Sequence, residues 1–121
     1  MSEISENNIS TYEVPAEADS ISAAQDGDIL FIFGFKTHRK VFSELGFLAL
    51  PADHTLLTAC GKAFCDKLKM EPLLNAMTIT PNELLTYIPE DLQKEPEAER
   101  RAALVLAAVH QAVANYAGKK E

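Results

Sequence analysis

Apolar residues recur at helical spacing over the last quarter of the chain, where Ala98, Ala102, Val105, Leu106, Val109, Val113 and Tyr116 form one stripe. The pattern predicts a long helix over 97–117. Pro96 stands where a first turn tolerates proline, and Glu97 and Glu99 stand where the macrodipole favours negative charge. At ~1.5 Å per residue such a rod is about 30 Å long, roughly the diameter of a small domain. Its far side is not polar either. Ala103, Leu104, Ala107, Ala108 and Ala114 share it with Gln111 and Asn115. A soluble monomer seldom leaves such a patch bare, so Ala103, Leu104, Ala107, Ala108 and Gln111 are read as an oligomer face, with a homodimer as the favoured assembly and wrapping of both sides by the chain's own helices as the alternative.

Upstream the pattern changes. Ile29, Leu30, Phe31, Ile32 and Phe33 are apolar without alternation, and Gly34 and Phe35 follow. The run predicts a strand over 29–35 covered on both faces, with a buried helix as the alternative. Val41, Phe42, Leu45, Leu48 and Ala49 share one helical face, and with Thr37 as N-cap they predict a helix over 38–45. A second strand over 46–50, ended by Pro51, competes for the last of these residues. Asp53 reads as the N-cap of a helix to about Lys69 that turns Leu56, Leu57, Cys60, Ala63, Phe64 and Leu68 inward. Pro72, Pro81 and Pro89 each open a short helix, most clearly at Thr80-Pro81-Asn82-Glu83. The fold class is α+β and predominantly helical, a small sheet around strand 29–35 with four to five helices packed on the long C-terminal one. All-α is the alternative.

The 121 residues have room for one domain. Charge divides that length unevenly. Residues 1–28 hold seven acids and no Lys or Arg, while the remaining eleven acids and all eleven bases lie beyond. Residues 1–26 are therefore predicted as an acidic, largely flexible arm, with a short edge strand at 11–14 and a helical turn at 20–25. Residues 27–118 form the single globular domain. An acidic arm on a neutral body argues against nucleic acid and fits a tail that docks on a protein partner with a basic surface. No basic leader precedes an apolar run, and the apolar run 102–109 is too short to span a bilayer, so the expectation is a cytoplasmic chain without membrane contact.

Two stretches carry candidate chemistry. Cys65 lies off the apolar stripe of its predicted helix, between Lys62 and Lys69, whose ammonium groups favour a thiolate. Asp66 and the late position in the helix oppose it, so an incidental surface thiol is weighed against a small thiol-dependent enzyme centred on Cys65. Cys60 is read as a core residue. Lys36, His38, Arg39 and Lys40 form the densest positive run. A strand ending near Phe35 and a helix starting at Thr37 would aim free N–H groups and these side chains at one anion or acidic partner; a solvated face is the plain alternative. His54 is expected at the surface and His110 half-buried on a backbone partner. No metal or cofactor is expected, since neither the two cysteines nor the three histidines fall at ligand spacing. The expected function is a non-enzymatic interaction protein, an adaptor, escort (chaperone) or inhibitor-type accessory factor of a microbial cell or its phage. The Cys65 enzyme and an anion-binding module at 36–40 are the alternatives.

Overall fold

A computed structural model describes residues 12–51 and 54–120. It is an α+β fold in which a three-stranded antiparallel sheet carries its helices on one face, including a long C-terminal helix. The strands are β1 (Ser20–Asp26), β2 (Ile29–His38) and β3 (Val41–Leu50), in the spatial order β1-β2-β3. The helices are α1 (Thr55–Leu68), α2 (Leu73–Ala76), α3 (Pro81–Leu85), α4 (Glu90–Gln93) and α5 (Ala98–Lys120).

Both hairpins use two-residue loops. Asp26 pairs with Ile29, and Gly27 supplies the positive φ that the first tight turn needs. His38 pairs with Val41, so Arg39 and Lys40 form the second loop, at φ 58° and 67°. Two positive φ values in succession mark a type I′ turn, which matches the twist of the flanking strands. This overturns the helix expected over 38–45. Val41, Phe42, Leu45, Leu48 and Ala49 fit a helical face only by coincidence, because a register shift between Lys36 and Thr37 lets Phe42 face inward with Leu45 and Ala49. Strand β3 runs its full length instead, and the second-strand alternative was too short.

The expected flexible arm also needs correction. Its last seven residues are β1, paired with β2 from Ser20↔Phe35 to Asp26↔Ile29, and no helical turn forms at 20–25. Alternation explains the strand: Ser20, Ser22 and Ala24 face the helices, while Ile21, Ala23 and Gln25 face away. The Ser20 hydroxyl donates to the Ala112 carbonyl at 2.7 Å, tying β1 to α5. At the other end of the strand, the Asp26 carboxylate accepts from Arg100 and from the buried Arg101, and these guanidinium groups hold its carboxyl below the usual range.

The core lies between sheet and helices. Phe31, Phe33 and Phe35 point inward from β2, and Phe33 meets Phe42 and Phe64 edge-on, with ring centroids 6.4 and 5.6 Å away. Helix α5 buries Ala98, Ala102, Val105, Val109 and Val113 along the stripe its spacing predicts. It buries Leu104 and Ala108 as well, against the chain's own core. Thr80 caps α3 through the Glu83 amide with Pro81 in the first turn, as its sequence predicts. For α1 the cap is His54, whose Nδ1 accepts from the Leu57 amide at 3.3 Å; Asp53 lies outside the described residues.

Residues 12–19 form a strap across the outer face of the sheet. Tyr12 donates to Asp66 of α1 at 2.6 Å from beyond the β3 edge, and burial with that carboxylate pushes the phenol up to about 12. The chain then crosses the paired Gly34 and Gly46. A Cβ on Gly46 would run into the Glu13 carbonyl, and one on Gly34 would come within 2.7 Å of Val14 Cγ1. Asp19 closes the strap, taking the Thr37 amide at 2.7 Å through its carboxylate. The part of the expected edge strand that is described, Tyr12–Val14, lies outside any strand.

Candidate functional site

An apolar concavity opens where the β2–β3 hairpin, α2 and the end of α5 meet. It encloses about 530 Å³ and is walled by Leu73 and Leu74 of α2, by Val113, Tyr116 and Ala117 of α5, and by Pro72 and Lys40. Backbone pairing builds one wall. The Leu73 amide donates to the Lys40 carbonyl at 2.9 Å, the Phe42 amide donates to the Glu71 carbonyl, the Phe42 carbonyl accepts from the Met70 amide, and Val41 bridges to Pro72. Met70 adopts φ 68° just beyond α1, and that reversal sends the linker alongside β3. Tyr116 fixes the opposite wall, its ring edge-on to Phe35 and its hydroxyl 3.1 Å from that of Thr37.

Leu74 is 74% exposed, with Met70 at 64% and Met77 at 41% close by in sequence. A leucine held in water in the wall of an apolar groove is what a docking surface for another chain requires. Among the described residues, Lys40 is the charged side chain in the lining. Neither Lys40 nor Arg39 makes an ion pair within 4.0 Å among the described residues.

The expected positive cluster is therefore split. No helix begins at Thr37, so the N–H cradle for an anion does not form. His38, Arg39 and Lys40 are exposed at the hairpin tip, while Lys36 lies half-buried opposite Glu44 in the β2–β3 ladder. Only Lys40 reaches the groove.

Cys65 is not a surface thiol. It is 1% exposed, and burial, reinforced by Asp66, drives its thiol far above the ordinary range, more than Lys62 and Lys69 recover. Cys60 is wholly buried and is pushed up to about 12 by burial alone. The helical phase misplaced Cys65 because α1 is buried over more than one stripe: Gly61 sits so close to the Phe31 and Phe47 rings that a Cβ would be 2.9 Å from each. A neutral thiol without access is a poor nucleophile, and no hydrogen bond joins Cys65 to a histidine among the described residues. His110 instead faces the Ala76 carbonyl at 3.2 Å, half-buried as expected. Cys65→Ser and Cys60→Ser are each expected to cost about 1–3 kcal/mol, because each buries a hydroxyl without an assured partner. Denaturant melts of the two variants check this, and a silent Cys65→Ser would return that side chain to the surface.

The expected oligomer face on α5 is broken in the same way. Ala103, Ala107 and Gln111 are exposed, but Leu104 and Ala108 are core residues of the same chain. Among the described residues no group of three His, Cys, Asp or Glu side chains is placed to hold a metal ion, and no helix is long and apolar enough to cross a membrane. No protein-family model matches the chain, and no curated protein does.

Proposed function

We propose that the protein is a non-enzymatic interaction module, an adaptor, escort or inhibitor-type accessory factor that acts in the cytoplasm by holding another protein. The observation that carries this reading is the open groove between α2 and α5, apolar in its walls and with the exposed Leu74 among its lining. A groove of this size takes two or three apolar side chains of a docked helix or extended segment. Lys40 in its lining and the neighbouring Arg39 favour a segment that carries carboxylates beside its apolar anchors. The two inaccessible thiols weigh against the thiol-enzyme alternative.

The test is a quantitative pull-down comparing wild type with Leu74→Glu. Leu74 is mostly solvent-exposed, so the variant is expected to melt like wild type while losing its captured protein by at least tenfold. A set of captured proteins identical for the two forms would overturn the groove as the binding site.

A further inference from the structure

We propose that the chain's own residues 1–11 occupy the groove between α2 and α5, with Ile4 as the apolar anchor and Glu3 and Glu6 set against Lys40 and Arg39, so that a partner must displace them. This rests on the reading of the groove as the binding site and adds its regulation. That reading calls for carboxylates beside an apolar anchor, and Ser2-Glu3-Ile4-Ser5-Glu6 is such a sequence. Residues 1–11 hold no Lys or Arg to oppose it. At the groove the acids meet cations. Lys40 lines the wall, Arg39 is exposed beside it, and neither makes an ion pair within 4.0 Å among the described residues. Glu71, next to the lining residue Pro72, is turned to the Asn75 side-chain amide, which donates to it at 3.0 Å.

The anchor point of the strap brings the segment within reach. Tyr12 is bonded to Asp66 of α1. Ile4 lies eight residues before Tyr12, and Leu74 lies eight residues after Asp66, so two equal lengths of chain start from one hydrogen bond. Eight residues span at most about 29 Å when extended. The stretch from Asp66 to Leu74 is far from extended, since it holds the end of α1 and the reversal at Met70. The outer face of the sheet, where Leu48 and Leu50 are exposed, suits the segment less. Glu13 and Glu17 are exposed on the strap that crosses that face, and Glu44 stands opposite Lys36. A tether this short holds the segment at roughly millimolar local concentration. One isoleucine fills less of the groove than the two or three apolar side chains of a docked partner, and exposed ion pairs add little. The segment is a weak, reversible plug, and a partner's apparent affinity scales with the fraction of grooves left open.

Methyl NMR on the full chain, with no partner present, tests the proposal. The signals of Leu73, Leu74 and Val113 should differ between wild type and Ile4→Ser. Added salt should move the wild-type signals toward the Ile4→Ser positions. A synthetic peptide of residues 1–11, added to the Ile4→Ser chain at about millimolar concentration, should move them back. In a Lys40→Glu background the difference made by Ile4→Ser should vanish, and it should return when Glu3→Lys and Glu6→Lys are added. Identical Leu73, Leu74 and Val113 signals in wild type and Ile4→Ser would overturn the proposal. Changes confined to Leu48 and Leu50 would overturn it too, by putting the segment on the outer face. Neither result touches capture of a partner by the groove, which Leu74→Glu tests separately.

Discussion

Phe33→Asp is expected to yield no folded protein. The side chain is fully buried on the central strand, among the rings of Phe35, Phe42 and Phe64. Replacing it removes the ring shared by sheet and α1, a loss of about 3–5 kcal/mol in packing alone. It also places a carboxylate among the rings of Phe35, Phe42 and Phe64, so the group must either protonate or draw water into the core. Each effect alone approaches the total stability of a small domain, about 5–15 kcal/mol. Circular dichroism and a thermal scan are the checks. A soluble Phe33→Asp protein that melts cooperatively would mean that β2 does not form the inner layer.

Deletion of residues 1–26 is the second change expected to abolish the fold, contrary to what the composition of that stretch implies. The cut removes β1 and exposes the edge of β2 along seven paired positions. It also strips the hydroxyl anchor on the Ala112 carbonyl and leaves the buried Arg101 without the Asp26 carboxylate. Deletion of residues 1–11 alone spares the strap and is expected to leave the melting temperature within a few degrees of wild type. A cooperative melt from the longer deletion would show that β1 is dispensable.

What the sequence made legible follows the strength of its local signals. The long helix, the aromatic strand, the Thr80 cap and the core role of Cys60 rest on periodicity or cap chemistry that tertiary contacts reinforce. Strand β1 was hidden because Ser20, Ser22 and Ala24 are small or polar on the side that faces α5, so acidic composition outweighed a weak alternation. The second hairpin was hidden because Arg39 and Lys40 occupy left-handed positions where Gly, Asn or Asp is the usual sign. Once that turn was missed, Phe42 and Leu45 lent themselves to a helix. The groove was not legible at all. It joins Lys40, Leu73, Leu74, Val113 and Tyr116 from three distant stretches, and none of these residues marks a binding site by itself. Of the residues singled out from the sequence, Lys40 alone lies in its wall.

The strap imposes an order on synthesis. Glu13 and Val14 are made early, yet their resting place over Gly34 and Gly46 does not exist until β3 has been added more than thirty residues later. Tyr12 must wait longer still, for Asp66 of α1. Helix α5, which closes the inner face, is the last element made. The strap is thus left without a docking place while the sheet is built, and it can settle only once α1 has been made, closing long loops at an entropic cost that grows slowly with their length. During that interval the ribosome would hold a sheet bare on both faces. A sheet that receives residues 12–19 on one side and α5 on the other is most exposed to misassembly before α5 has been made.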